Sequence, residues 1–238
     1  MEAKCNLCEV FGEKTHCHNC KIFNNAREHA PQEITCSLEE FVEYVENNDD
    51  ISERYGVGDY KTITLYTGEE VKMVILDLGR DQLASGGTAK VSLGVLEMDG
   101  LYNMNFTDTN DGSWRDSAMR RRMERIFKLL PPILQAHIKP VVKHTSAGQG
   151  NAEIVDTTDK LFLFSEVEFR GKSDCSYPGE DTQYDYFKTA INRYFSNYKW
   201  LRSPHYNSSR YFCVAFNDGD VGSSSASYSY GVAFGFCI

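Results

Sequence analysis

Four cysteines near the start of the chain carry the most specific chemistry. Cys5 and Cys8 form one C-x-x-C pair and Cys17 and Cys20 a second, with eight residues between the pairs. Each C-x-x-C turn aims two thiolates at one point, and two such turns complete a closed tetrahedral site of the kind that holds structural Zn. A piece of about twenty residues buries too little apolar surface to fold unaided, so a four-cysteine zinc knuckle over residues 1–30 is expected to fold on its metal. With no open coordination position the site implies structure and no catalysis, and it reads as a docking module for a partner protein or for the rest of this chain. His16 and His18 flank Cys17 and could replace one ligand, although solvated loop positions account for them as well. Cys36, Cys175, Cys213 and Cys237 are scattered, so a metal site plus reduced thiols is simpler than a disulfide framework. No Ser-His-Asp order, Walker loop or dinucleotide fingerprint occurs. Gly148 and Gly150 lack the following helix N-terminus that would make a phosphate cradle.

The second stretch with distinctive chemistry is Lys199–Ile238. Trp200-Leu201-Arg202-Ser203-Pro204 opens it as an anchor, and Gly231–Phe236 closes it with apolar residues at every second position, the period of a half-buried strand. Between these ends lie mostly Tyr, Ser, Asn, Asp and Gly. That is the composition of antibody-type binding surfaces, and also of ordinary loops. From His205 to Ile238 there is no Lys, Glu, Gln, Met or Trp. Those five amino acids have codons that must end in a purine, so the whole stretch can be written with a pyrimidine in every third position. Such a footprint is left when adenine-containing Asn codons are randomised at their first two bases.

WLRSP, the NDG at Asn217–Gly219 and the terminal GVAFGFCI together resemble the C-terminal variable repeat of diversity-generating retroelement variable proteins of bacteria and phages. Upstream wording is similar to their scaffold: Thr107-Asp108-Thr109-Asn110, Gly112-Ser113-Trp114, Ile138-Lys139-Pro140-Val141, Asp159-Lys160-Leu161-Phe162 and Ser165-Glu166-Val167. The resemblance runs from about Gly56 to Ile238 and leaves the Cys-rich start unexplained. It implies an α+β fold of the C-type lectin-like (formylglycine-generating-enzyme) type over 56–238. The variable repeat, at about 200–238, would display a ligand-binding face. The expected contacts are His205, Tyr206, Asn207, Ser209, Arg210, Tyr211, Asp218, Asp220, Ser223, Ser225, Tyr228 and Tyr230. Tyr206, Arg210, Tyr211, Tyr228 and Tyr230 are the first choices, because binding energy concentrates in aromatic and Arg anchors. The expected partner is a protein or glycan and the expected activity is binding, not catalysis. Two readings compete: a formylglycine-generating-type enzyme using Cys213 or Cys237, and a fixed-specificity calcium lectin using the Asn217-Asp218 pair.

The elements that must position this face can be read in outline. Ser37-Leu38-Glu39-Glu40 is a capping box opening a helix with Leu38, Phe41, Val42 and Val45 on one stripe, within a helical linker at 31–55. Runs at 61–66 and 70–76 form a hairpin, with another strand at 89–96. A helix starts near Trp114–Ser117 and continues through Met119, Met123, Ile126, Phe127 and Leu130, its arginines reading as a solvated face, until Pro131-Pro132 stops it. The stretch 138–143 reads as an edge strand because of Pro140, 145–153 as a polar loop and 160–164 as a buried strand. A short helix is expected around Tyr184–Phe195. In the last repeat Phe212, Val214 and Phe216 should face inward, sending Tyr211, Cys213 and Ala215 to the other side.

The chain has 238 residues, 41 % hydrophobic, with a net charge of -9. It can bury a sizeable core, and its charge argues against a nucleic-acid or anionic-membrane partner for the surface as a whole. No apolar run approaches the roughly 20 residues that span a bilayer. Met1–Cys5 begins with a polar segment in place of a signal peptide, which suggests a cytoplasmic location as synthesised, and virion association if a phage encodes it.

Overall fold

Ser37 sets the first described element. Its Oγ accepts the Glu40 N–H at 3.1 Å while the Glu40 carboxylate accepts the Ser37 N–H at 2.8 Å, closing the expected capping box. Helix α1 runs Leu38–Asn47 and buries Phe41, Val42 and Val45, with Phe41 and Tyr44 both edge-on to Tyr55. The computed structural model describes residues 30–238. Within them Pro31–Ile238 forms one compact unit, so the expected linker at 31–55 belongs to the same unit as the residues after it. Cys5, Cys8, Cys17 and Cys20, and with them the expected zinc knuckle, lie outside the described residues.

The main sheet grows from hairpins whose alternating sequence pattern matches a strand buried on one face. Strands β1 (Tyr60–Thr64) and β2 (Glu70–Leu78) pair as the expected hairpin, and β3 (Val91–Val95) adds to β2. The last strand, β12 (Phe234–Cys237), inserts between β3 and β7 (Phe162–Leu163), giving the order β1-β2-β3-β12-β7 with every pair antiparallel. β12 is buried along its whole length. Gly235 is required there, because a Cβ would lie 2.5 Å from the Phe162 ring. A second sheet has the order β10-β9-β8, from β8 (Lys199–Pro204), β9 (Tyr211–Ala215) and β10 (Val221–Ser225). Two-stranded ribbons join β4 (Tyr102–Asn103) to β11 (Ser229–Tyr230), and β5 (Val141–Gly148) to β6 (Asn151–Asp159). The fold is therefore mixed α+β, with antiparallel sheets and few helices. No helix among the described residues is long and apolar enough to cross a membrane.

Helix α2 (Ala118–Phe127) is capped by Ser117 and buries Met119, Met123 and Ile126. It stops before Leu130. Pro131 and Pro132 start a further short helix, α3 (Pro132–His137), in which Pro132 occupies the first turn where its missing N–H costs nothing. The expected polar loop at 145–153 is instead the paired ends of β5 and β6. The strand expected at 138–143 covers the start of β5, and its continuation was hidden because the buried Thr145 there is a polar group, bonded to Arg202. Pro140 precedes β5 and so removes no ladder bond. α4 spans Glu166–Arg170, and the helix expected over Tyr184–Phe195 divides into α5 (Asp185–Lys188) and a 3-10 turn at Ala190–Arg193. In β9, Cys213 and Ala215 are buried along with Phe212 and Val214, and of the expected outward set only Tyr211 is exposed. Packing covers both faces of this strand, which a simple alternation does not anticipate.

Candidate ligand-binding face

The anchor WLRSP becomes β8, and its arginine is the centre of a buried ionic network. Arg202 is fully buried. It pairs with Glu168, donates to Asp181 at 2.6 Å and to Thr145 Oγ1 at 3.0 Å, and reaches the Leu163 carbonyl at 2.8 Å. The other oxygen of Glu168 accepts from Lys143 at 2.7 Å. Lys143 also pairs with Asp81 and donates to the Tyr184 hydroxyl at 2.9 Å. Burial pushes the Asp81 carboxyl upward, but the Lys143 ammonium and hydrogen bonds from Lys143, Ser92 and Tyr184 outweigh it and hold the group well below its usual range. Glu180 ends differently. Burial is its largest influence, the Ser146 N–H and Ser203 hydroxyl offset it only in part, and its carboxyl is pushed up to about 7.

The loop 205–210 that follows β8 is held from behind by a single asparagine. Asn110, fully buried, donates its side-chain N–H groups to the Ser208 carbonyl at 2.7 Å and the Tyr211 carbonyl at 2.9 Å, and its backbone N–H to the Ser209 carbonyl at 2.9 Å. Its Oδ1 accepts the Gln149 backbone N–H at 3.0 Å. Gln149 sits in the β5–β6 turn, where Gly148, Gln149 and Gly150 all have positive φ. Gly148 has no substitute there, because any Cβ would collide with the Asn110 carbonyl. On the other flank Glu166, also buried, accepts the backbone N–H groups of Asp174, Cys175 and Ser176 at 3.0, 2.9 and 2.7 Å, and the Cys175 carbonyl takes the Tyr206 N–H. Buried Asn110 and Glu166 thus hold the loops at 205–210 and 174–176 from behind.

On that support the candidate contacts separate into groups. His205, Tyr206, Arg210, Tyr211 and Tyr228 gather at one end of the β9–β10 hairpin, where Tyr211 and Ser225 are register partners. His205 stacks on Tyr206 at 4.9 Å, and Tyr211 lies edge-on to His205. Arg210 pairs with Asp108 and lies within electrostatic reach of Tyr211 and Tyr228. Tyr228 is 60 % exposed and Tyr206 44 %. Asn207 and Ser209 are on the same loop, Asn207 exposed. Two scaffold residues join this end: Tyr177, edge-on to Tyr206, and Phe106, 77 % exposed beside Asn105, whose N–H meets the Ala226 carbonyl.

Residues 88–238, well over half of the chain, match the family described as a domain of unknown function, DUF6273. The chain belongs to the DUF6273 family. No curated protein and no solved structure matches it. In this DUF6273 domain every group just described, from Phe106 to Tyr228, lies inside the matched residues.

The remaining contacts lie elsewhere. Asp218 and Asp220 occupy the turn at the far end of the hairpin, beyond Ala215 and so more than about 13 Å along the strand from Tyr211. There Asp220 pairs with Arg170 and its N–H donates to the Asp218 carboxylate at 3.1 Å. Tyr230 points to the other side of the sheet, packed on Trp200 at 5.0 Å and sharing a 3.0 Å hydrogen bond with Ser224. Ser223 is half-buried and Ser225 buried. Cys213 and Cys237 are both fully buried. Burial, then Glu166 for Cys213 and Asp81 for Cys237, push their thiols well above the usual range, and Cys175 is pushed up to about 11 by burial and Glu166. Among the described residues no group of three or more His, Cys, Asp or Glu side chains is arranged to hold a metal ion. Sequence reasoning missed Asn110, Gln149 and Glu166 as positioning residues. Their only signal was the polar wording around them, which a hydrophobic pattern does not register.

Proposed function

We propose that this chain is a ligand-binding protein, receptor- or adhesin-like, whose C-terminal face is diversified by a retroelement through adenine-directed mutagenesis on a C-type lectin-like scaffold. The partner is a protein or a glycan. One observation carries the reading: the exposed side chains of the pyrimidine-compatible stretch stand on backbone held by residues outside it, the buried Asn110 and Glu166 and the exposed Gln149. Asn110, Gln149 and Glu166 hold loop backbone and not loop side chains, so the side chains can change while the loop stays. Six of the twelve expected contacts, His205, Tyr206, Asn207, Ser209, Arg210 and Tyr211, follow one another on this support and Tyr228 joins them. Rigid Tyr with adaptable Ser and Asn is the chemistry of a surface selected for binding. The metal-bound four-cysteine knuckle belongs to the same proposal as a docking module.

The competing readings have less support. A thiolate nucleophile needs access and a lowered pKa, and Cys213 and Cys237 have neither. In the calcium-lectin reading, Asp218 of the Asn217-Asp218 pair is already engaged by the Asp220 backbone N–H in the turn. The test is a display library in which codons for 205–207, 209–211 and 228 are randomised and panned against a folded protein such as hen lysozyme. Binders that keep the parent melting temperature are expected; a library that yields only unfolded or non-binding chains would contradict the reading.

A further inference from the structure

Helix α2 is densely cationic at both ends: Arg120, Arg121 and Arg122 sit near the positive end of its dipole, which disfavours them, and Arg125 and Lys128 near its negative end, which favours them. Ala118–Phe127 contains Arg120, Arg121, Arg122 and Arg125 against a lone Glu124, and has no acidic residue in its first turn. The positive end of the helix dipole lies there, and Arg121 and Arg125 stand one turn apart, a like-charge spacing that costs helix stability. Lys128 and Lys160 extend the same surface. Arg125, Lys128 and Lys160 are exposed, and none of them makes an ion pair among the described residues. This is in a chain with 34 acidic and 25 basic residues. Between α2 and the end of β6 lies a cleft of about 330 Å³ with a floor of Met123, Phe127 and Leu161 and a rim in which Arg120, Lys128 and Lys160 outnumber the carboxylates of Glu124 and Asp159. The Arg120 guanidinium is fixed by Asp159 at 2.6 Å, and Lys160 lies over the Phe127 ring at 4.9 Å.

We propose that this cleft docks an acidic polypeptide segment with an apolar anchor residue, as a second interaction surface separate in composition from the variable face. The apolar floor takes the anchor, at the small end of the roughly 300–1,000 Å³ range of ligand sites, and the cationic rim pairs with flanking carboxylates. A short acidic segment feels the local rim, because the field of the other charges is screened within about 8–10 Å. A long nucleic acid would meet the net negative surface beyond it.

The test uses the full chain and a fluorescein-labelled synthetic peptide of Glu and Asp around a Leu-Phe pair, followed by anisotropy, with a Lys-for-acid peptide as control. Wild type is expected to bind the acidic peptide only, more weakly as salt rises. The R125E/K128E/K160E variant should weaken binding by about tenfold or more, with R125Q/K128Q/K160Q between the two, all at unchanged melting temperature. If the charge-reversed variant folds poorly, the glutamine variant alone decides. Equal binding by wild type and variants, no binding of the acidic peptide, or tighter rim-dependent binding of an oligo-dT strand would each overturn the proposal.

Discussion

At the scale of the residue, the buried ionisable groups set how this protein responds to substitution and pH. Arg202 is held by two carboxylates, a hydroxyl and carbonyls with no water access. Removing one partner of such a network strands the others, at about 3–5 kcal/mol. Chemical denaturation of Arg202→Met should therefore show a loss of that size, whereas Arg210→Ala and Tyr228→Ala, on the exposed face, should stay within about 0.5 kcal/mol. Glu180 gives a pH test. Its folded pKa, about 7, is raised above the ordinary 4.5, so the folded state binds the proton more tightly and the protein loses stability as pH rises from 4.5 to 7. For a shift of this size the loss is about 3 kcal/mol. Glu180→Gln keeps an acceptor for the Ser146 N–H and a partner for Ser203. The stability of this variant minus that of wild type should therefore grow across pH 4.5–7 and then level off. A flat difference would show Glu180 ionised throughout. The depressed carboxyls, Asp81 and Asp181, act the other way, contributing stability that is lost as pH falls through the acid range.

At the scale of the element, the loop 205–210 and the β5–β6 turn form one unit through Asn110. Asn110→Ala deletes two donors to loop carbonyls and the acceptor for Gln149. Each buried bond lost costs about 1–3 kcal/mol where its partner stays unsatisfied. Hydrogen exchange should report faster amides at Tyr206–Tyr211 while β12 keeps its protection; uniform loosening would make Asn110 a general core residue. Gly148→Ala should produce the same local pattern, since the added methyl meets the Asn110 carbonyl. Elements with a plain signature were legible in the sequence. The capping box at Ser37, the hairpin of β1 and β2, the apolar stripe of α2 and the terminal strand all obey simple periodicities. β5 was legible only in its first residues, within the strand expected at 138–143, because its inward positions are the polar Lys143 and Thr145. Their partners, Asp81, Glu168 and Arg202, come from 25 to 62 residues away. For the same reason the short helices around Tyr184–Phe195 were legible as aromatic core but not as a break between Lys188 and Ala190.

At the scale of the whole molecule, the terminal stretch carries both exposed surface and part of the deepest core. β12 is the buried strand between β3 and β7, while the loop some thirty residues before it carries the exposed tyrosines. The proposed diversity is compatible with the fold only where these two are separated, and the cluster at His205–Tyr211 and Tyr228 meets that condition. Candidate contacts from composition alone, such as Tyr230 and Ser225, failed the separation because composition does not say which face of a strand a residue occupies. The most direct measurement is the DNA sequence flanking the gene, searched for a near-copy of the segment encoding residues 200–238. A copy is expected that differs almost only at adenines, with the differing codons at exposed positions such as Tyr206, Asn207, Arg210, Tyr211 and Tyr228 and with Arg202, Phe212 and Phe234 unchanged. Absence of any copy, or differences spread over the buried codons, would contradict the proposed function.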